Sequence, residues 1–199
     1  MNPAPYLILI GPMGAGKSSI GRRIAQACGL DFVDLDREIE ARAGAEIPTI
    51  FACEGEAGFR RRESEALAEV LTRKGCVIAS GGGAVLDPHN RALMRHRCFV
   101  VYLQIDVDQQ LARLANDRSR PLLAGADRAE VLSRLAVERG PLYAEIADLQ
   151  FSPNGLTATD AAKRLESLLE IHWESPASPA IAPDSPSPPP PPASSTSVA

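Results

Sequence analysis

Cysteine is scarce in this sequence, and its spacing excludes two common uses. The cysteines Cys28, Cys53, Cys76 and Cys98 lie far apart, among apolar neighbours, and show no CxxC or Cys/His ligand spacing. A disulfide framework and a zinc site are therefore excluded. The pattern predicts small core residues in a reducing compartment.

Long apolar runs and an excess of positive charge are also absent. The N-terminal stretch MNPAPYLILIG has no basic segment, and its apolar run ends at a glycine, too short for a signal peptide or a membrane span. The net charge is −4, which does not indicate a binder of nucleic acid or of membrane surfaces. We therefore expect a cytoplasmic protein, a monomer, with neither nucleic acid nor membrane as a partner.

The C-terminal segment, residues 175–199, lacks aromatic residues and nearly all charge, and it contains five consecutive prolines. Such a segment buries too little apolar surface to offset its ordering entropy. We predict a disordered, partly polyproline tail; a ligand for a proline-binding module is the alternative. The chain has 199 residues, of which 45% are hydrophobic, so residues 1–174 suffice for one domain.

Apolar runs typical of strands alternate with helical patterns along this domain. The helical patterns include SIGRRIAQAC and SEALAEVL, whose apolar residues recur at helical spacing. The alternation predicts an α/β fold in which helices cover a parallel sheet of five strands. The predicted strands are 6–10, 31–35, 76–80, 98–105 and 149–151.

A phosphate-binding loop follows the first predicted strand. In GPMGAGKSS, Gly11, Gly16, Lys17 and Ser18 complete the pattern G-x-x-x-x-G-K-[ST], between a strand and an amphipathic helix. The glycines let backbone N–H groups curl around a phosphate at the positive end of the helix. Lys17 would reach the β and γ phosphates, and the Ser18 hydroxyl would bind Mg²⁺. This motif predicts a nucleoside triphosphate and leaves the reaction open.

Two carboxylates, Asp34 and Asp36, follow the second predicted strand. Asp36 could cap a helix starting near Arg37, but one cap does not account for both. Residues i and i+2 at a strand end point to the same side, so both could face one cleft. There, one carboxylate could hold Mg²⁺ and the other could accept the proton of an attacking hydroxyl.

A charged group lies on a predicted helix that begins near Glu56. Arg60 falls at the edge of the apolar face, Arg61 points away from it, and Glu63 falls near its middle. Because an unpaired carboxylate is costly there, we infer that Glu63 pairs with Arg60 and holds it for bidentate contact with a carboxylate. A plain intrahelical salt bridge is the alternative.

Six stretches together resemble the shikimate kinases, small relatives of the nucleoside monophosphate kinases. They are GPMGAGKSSIGRRIA, DLDREIE, IFACEGEAGFRRRE, SGGGAVL, RPLLAG and ERGPLY, which follow the family's order over about residues 7–150. The resemblance implies a three-layer P-loop kinase fold with a substrate-binding helical region and a mobile lid at about 113–127. It also implies transfer of phosphate from ATP, with one Mg²⁺ ion, to the 3-hydroxyl of shikimate.

The resemblance implies a role for each matching residue. Asp34 and Ser18 would hold the metal, and Asp36 would contact the shikimate hydroxyl as the candidate base. Arg60 would bind the shikimate carboxylate. For Arg139, resemblance implies a second clamp on that carboxylate, whereas its position before Gly140 and Pro141 also fits a cation at a helix C-terminus.

The remaining implied contacts belong to two loops. In SGGGAVL the middle glycine's amide would touch substrate, because glycines without side chains allow close approach. In the lid, Arg120 would neutralise the transferring phosphate and Arg113 would pack near adenine. The substrate loop consists of Gly81, Gly82 and Gly83. The residues expected to bind ATP are Gly14, Ala15, Gly16, Lys17, Ser18, Ser19, Arg113 and Arg120.

The sequence differs from the family pattern at two places, and two alternative functions remain open. Ser19 stands where threonine is commoner, and residues 151–157, expected near adenine, contain no basic residue. One rival is a kinase of another small hydroxy acid such as gluconate, since arginines bind any carboxylate. The other is a non-catalytic nucleotide-binding module. The catalytic residues we favour are Lys17, Asp36 and Arg120.

Overall fold

A computed structural model describes residues 2–115 and 127–176 of the chain. Most of the predicted lid, with Arg120, and nearly all of the predicted tail lie outside these residues. In the described part, no helix is long and apolar enough to cross a lipid bilayer.

Five parallel strands form one sheet, as the alternating pattern predicts. They are β1 (Tyr6–Ile10), β2 (Asp31–Asp34), β3 (Cys76–Ala79), β4 (Cys98–Leu103) and β5 (Leu149–Phe151). Their order in the sheet is β2-β3-β1-β4-β5. Because all strands run the same way, the loops that follow them meet at one edge of the sheet, where ligands of open α/β sheets bind.

Seven α-helices surround the sheet in the described residues. They are α1 (Lys17–Cys28), α2 (Leu35–Ala43), α3 (Ile47–Val70), α4 (Pro88–Arg97), α5 (Val107–Leu114), α6 (Arg128–Ile146) and α7 (Ala158–His172). A short 3₁₀ helix, Ala84–Leu86, follows β3. The three layers of the predicted fold are present.

The core lies on both faces of the sheet, and β1 shows why. Ile8 and Ile10 belong to the apolar cluster beneath α2, α3 and α4, whereas Leu7 and Leu9 belong to the cluster beneath α1 and α7. Every residue of β1 is buried. A central strand covered on both faces needs this continuous apolar run.

Some predicted boundaries and placements are wrong. The strand predicted to 35 ends at Asp34 because Leu35 already begins α2, so Asp36 is not a cap before Arg37. The strands predicted to 80 and 105 end at Ala79 and Leu103. Cys53 is exposed and not a core residue, since its side of α3 faces solvent.

The helices α3 and α6 also differ from expectation. The helix predicted from Glu56 is the second part of α3, which begins at Ile47 and is broken at Gly55 with φ 68°. The predicted break at Gly140 and Pro141 does not occur, because α6 continues to Ile146. Pro141 deprives the carbonyl of Val137 of its usual donor, but Val137 is exposed, so water can satisfy that carbonyl.

Candidate active site

The phosphate-binding loop joins β1 to α1 in the geometry that the motif predicts. Gly16 precedes α1 with φ 92°, a left-handed conformation that favours glycine. The N-terminus of α1 has no side-chain cap, so its backbone N–H groups remain available to an anion. Lys17 is buried, and its Nζ donates to the carbonyls of Gly11 at 2.8 Å and Pro12 at 2.9 Å. The lysine is thereby held across the loop.

A cavity of about 440 Å³ lies over this loop. Arg113 forms part of its wall and donates to the carbonyl of Gly14 at 3.2 Å and to that of Pro153 at 3.2 Å. The segment after β5, which contains no basic residue, reaches the cavity through Pro153, Leu156 and Thr157. Apolar and backbone surface therefore borders the space where a nucleotide base would lie, beside Arg113.

A second cavity of about 680 Å³ adjoins the first. Phe51 and Phe59 form an apolar part of its wall, with their ring centroids 4.7 Å apart. Arg60 and Arg139 supply positive charge to the same wall. An apolar surface with two guanidinium groups suits a small ring that carries an anionic group.

The two cavities share one boundary, where the predicted base and both predicted metal-binding residues lie. Both cavities are lined by Met13, Ser18, Asp34, Asp36 and Gly82. The strand alternation expected to bring the aspartates together is not the cause, because Asp36 lies in the first turn of α2. Asp34 is the residue before that helix, and its side chain makes no capping hydrogen bond.

Arg60 and Glu63 form the ion pair that helical spacing predicts. Arg60 Nη1 donates to Glu63 at 2.7 Å, and Nη2 donates to Glu56 at 3.0 Å. Glu63 is completely buried, whereas Arg61 is exposed as expected. The two glutamates, Glu63 and Glu56, therefore hold the Arg60 guanidinium at the cavity wall from two sides.

Burial and pairing act against each other in this ion pair. Burial raises the pKa of Glu63 and outweighs the neighbouring Arg60 guanidinium, which lowers it. Burial also disfavours the charged form of Arg60, but Glu63 and Glu56 outweigh it and raise the pKa of the guanidinium. The buried Nε groups of Arg60 and Arg139 have no hydrogen-bond partner among the described residues. Both atoms are buried within the wall of the cavity and are not exposed to its space.

The three glycines after β3 lie against these charged side chains. A Cβ atom on Gly81 would overlap Glu63 and come within 3.0 Å of Asp36 Oδ1. A Cβ atom on Gly83 would overlap the Arg60 guanidinium, whereas Gly82 has ordinary space around it. Gly81 and Gly83 therefore admit protein side chains, and close approach of a substrate to this loop stays a prediction.

Sequence reasoning missed Tyr143. Its hydroxyl donates a hydrogen bond to the carbonyl of Gly82, which also accepts from Arg139 Nη1 at 3.3 Å. The only local signal is its place in ERGPLY, one helical turn after Arg139. Tyr143 is buried and does not line the second cavity. In the sequence it therefore looks like an ordinary core residue of the helix.

The predicted site residues of the described part thus line the two adjoining cavities, except Ala15, which is fully buried and lines neither. Lys17, Ser18 and Ser19 line the first cavity, and Arg60, Arg139 and the three glycines line the second. Arg120 lies outside the described residues.

Comparisons with known proteins agree on one family. The family model for shikimate kinase matches residues 13–170. The shikimate kinase of Stenotrophomonas maltophilia strain K279a is 57% identical over 174 residues, which cover 87% of this chain and 97% of that protein.

Solved structures give the same result at the level of the fold. The shikimate kinase from Acinetobacter baumannii, solved in complex with shikimate, has a TM-score of 0.81 and 43% identity, covering 86% of this chain and 96% of that one. A gluconokinase from Sinorhizobium meliloti has a TM-score of 0.52 at 17% identity, over 87% of this chain and 100% of that one. The second likeness concerns the fold alone.

Proposed function

The chain belongs to the shikimate kinase family and is an ATP-dependent kinase of shikimate, and we propose that Asp36, Lys17 and Arg120 carry out the transfer in the cleft described above. The phosphoryl acceptor is the 3-hydroxyl of shikimate, and the products are shikimate 3-phosphate and ADP. ATP occupies the first cavity and shikimate the second. The observation that carries this arrangement is the shared boundary, where Asp36 and Gly82 border both cavities.

The acceptor is held by charge and shape. The carboxylate of shikimate accepts hydrogen bonds from the guanidinium groups of Arg60 and Arg139, which both line the second cavity. The ring packs against Phe51 and Phe59, and the backbone of Gly82 contacts it from the loop. With the carboxylate fixed at one end, the 3-hydroxyl can be directed to the boundary with the first cavity.

The transfer itself needs positioning and charge stabilisation. Asp36 orients the 3-hydroxyl and accepts its proton as the hydroxyl oxygen bonds to the γ-phosphorus. The bond between that phosphorus and the β–γ bridging oxygen breaks, and its electron pair leaves with ADP. Lys17, held by the carbonyls of Gly11 and Pro12, and Arg120 from the lid stabilise the charge that spreads over the phosphoryl oxygens.

Ser18 and Asp34 are the residues that would hold Mg²⁺. They lie together at the cavity boundary as one hydroxyl and one half-buried carboxylate. The described residues contain no group of three or more metal-ligating His, Cys, Asp or Glu side chains. A small donor set suits Mg²⁺, which keeps several waters and takes further oxygens from substrate phosphates. When bound, the ion would neutralise phosphate charge.

The wider setting of the reaction is part of the same proposal. We expect a cytoplasmic monomer that acts on small molecules, since ATP is its co-substrate and its four cysteines are free. The adenine lies between Arg113 and the segment that begins at Pro153. Residues 175–199 form an appendage outside the catalytic domain, consistent with a family match that ends at residue 170.

A coupled assay of ADP release with ATP, Mg²⁺ and shikimate tests the assignment of Asp36. We expect Asp36→Asn to lower kcat at least about a hundredfold while the Kd for ATP stays unchanged, because the variant loses the base and keeps the phosphate loop. Asp31→Asn is the matched control, since Asp31 is an exposed carboxylate at the start of β2, the strand that precedes the helix of Asp36.

Two results would contradict this proposal. Retention of wild-type kcat by Asp36→Asn would remove Asp36 from the mechanism. Faster turnover of gluconate than of shikimate by the wild-type chain would replace the acceptor, since both acids carry the carboxylate that arginines recognise.

A further inference from the structure

In the loop of three glycines, backbone hydrogen bonds hold the outer two residues: Gly81 O accepts from Ala84 N at 3.3 Å and Gly83 O accepts from Leu86 N at 3.0 Å. None of the three has a positive φ, so no special backbone conformation locks the loop. Its outer members also pack against charged side chains, whereas a Cβ atom on Gly82 would make only ordinary contacts, the nearest with Met13 N at 3.5 Å. A peptide without side-chain packing has high conformational entropy, and its orientation must come from hydrogen bonds.

Tyr143 supplies such a bond from inside α6. Its side chain is 2% exposed, and its hydroxyl donates to the carbonyl of Gly82. The ring packs against Tyr102 with the centroids 5.0 Å apart, which limits movement of the hydroxyl. Burial raises the pKa of Tyr143, so the hydroxyl stays protonated and remains a donor.

The same carbonyl also accepts a hydrogen bond from Arg139 Nη1 at 3.3 Å. Arg139 and Tyr143 are one turn apart on α6 and reach Gly82 together. A carbonyl oxygen has two lone pairs, so both donors can be accommodated. If the hydroxyl were removed, Arg139 would be the remaining side-chain donor to this partly buried oxygen and would be held more strongly to the loop. Its guanidinium would then be less available to a ligand.

We propose that Tyr143 is a positioning residue for the acceptor: its hydroxyl fixes the Gly82 peptide and shares the Gly82 carbonyl with Arg139 Nη1, so that the rest of the Arg139 guanidinium can bind the carboxylate of the substrate. This inference rests on the proposed function, because it assumes that shikimate fills the second cavity. It assigns Tyr143 no contact with substrate. Its effect should therefore appear in acceptor binding and leave nucleotide binding unchanged.

Tyr143→Phe tests the proposal because phenylalanine keeps the ring and removes the donor. We expect the KM for shikimate, and its Kd measured by calorimetry without nucleotide, to rise about five- to tenfold, the effect of one buried hydrogen bond. The Kd for ATP should not change, and kcat should fall by less than about twofold. Each variant is also melted thermally to confirm that it is folded at the assay temperature.

Tyr6→Phe is the matched control. Tyr6 is also a buried tyrosine, and its hydroxyl donates to the backbone carbonyls of Leu71 at 2.7 Å and Arg73 at 2.6 Å. It stands at the start of β1, at the opposite end of that strand from the phosphate loop. We expect Tyr6→Phe to lower the melting temperature while KM and Kd for shikimate stay at wild-type values.

The outcomes separate this inference from the proposed function. If wild-type protein neither binds nor phosphorylates shikimate, the proposed function fails. If wild-type protein does both and Tyr143→Phe binds shikimate as tightly, the positioning role alone is wrong. Equal losses of affinity in Tyr143→Phe and Tyr6→Phe would indicate a general effect on stability and also overturn it, as would a Tyr143→Phe protein that does not fold.

Discussion

Two glycine-rich loops meet in the cleft, one after β1 and one after β3, and glycine serves a different purpose in each. In the phosphate loop the requirement is conformational: Gly16 has φ 92°, yet a Cβ atom there would meet no atom closer than 3.4 Å. The second loop, Gly81 to Gly83, is called the acceptor loop, and its requirement for glycine is steric. Gly83 has an ordinary φ, yet a Cβ atom there would overlap the guanidinium of Arg60.

This difference determines how the two loops bind. The phosphate loop curls so that its own N–H groups and the start of α1 can surround an anion. Because the acceptor loop has no side chains, Arg60 and Glu63 of α3 can approach the edge of the sheet. Alanine at Gly16 should therefore damage nucleotide binding, and alanine at Gly83 should damage acceptor binding.

Gly83→Ala is expected to have the largest effect. The new methyl group must displace Arg60, which breaks its bond to Glu63 and moves it from the cavity wall. Loss of charge-assisted hydrogen bonds to the carboxylate should lower kcat/KM for shikimate about a hundredfold. The Kd for ATP should stay unchanged in the same preparation, which steady-state kinetics and calorimetry will measure.

Gly82→Ala is the matched control for that prediction. A methyl group at Gly82 would meet Met13 N at 3.5 Å and Gly11 O at 3.6 Å, which are ordinary contacts. The backbone amide expected to touch substrate is kept. We expect KM for shikimate to change by less than about threefold, as no hydrogen bond is removed. A loss as large as that of Gly83→Ala would show that any side chain in this loop blocks the acceptor and that displacement of Arg60 is not the cause.

The contrast between the loops also explains what the sequence could predict. The phosphate loop is a local motif, and the pairing of Arg60 with Glu63 follows from helical spacing, so both were predicted. The five strands were predicted as well, since each is an apolar run bounded by polar residues. These features depend on neighbours within a few positions along the chain.

Contacts between distant segments could not be predicted in the same way. The bond from Tyr143 to Gly82 joins residues 61 positions apart. The continuation of α6 through Pro141 depends on an exposed flank of the helix, and the break of α3 at Gly55 depends on where its two parts pack. Packing against other elements overrode local preference at these places.

Gly16→Ala should have the second largest effect, and on the other ligand. Alanine at φ 92° is strained by about 1–2 kcal/mol, and the loop can relieve the strain only by moving N–H groups that face the phosphates. We expect the Kd for ATP to rise about tenfold, while the Kd for shikimate measured without nucleotide stays constant. Isothermal calorimetry on both ligands provides the measurement.

Gly29→Ala controls for strain itself. Gly29 ends α1 with φ 64°, and no atom lies within 4 Å of a Cβ atom there. This variant should lose stability to a similar extent and bind ATP normally. If Gly29→Ala weakened ATP binding as much as Gly16→Ala does, the effect of Gly16→Ala would reflect general destabilisation of α1 and not the shape of the loop.

The smallest effect is expected from Glu63→Gln, which concerns the side chain that occupies the space above Gly81. Burial raises the pKa of Glu63 above its ordinary value of 4.5, so the folded protein holds this proton more tightly than the unfolded chain does. The contribution of Glu63 to stability should therefore fall as the pH rises from about 4.5 through the folded-state pKa. Glutamine does not titrate and mimics the protonated form.

Because the wild type loses stability as the pH rises and Glu63→Gln does not, the variant should gain in melting temperature relative to the wild type between pH 5 and pH 8. We expect this gain to reach up to about 4 °C. Glu65→Gln, at an exposed position of α3, supplies the baseline for removing a carboxylate from the same helix. A difference that decreased with pH would mean that the Arg60 ion pair, and not burial, governs Glu63. Gly81 would then be required to admit a charged carboxylate, and the steric purpose of the acceptor loop would include bringing opposite charges together.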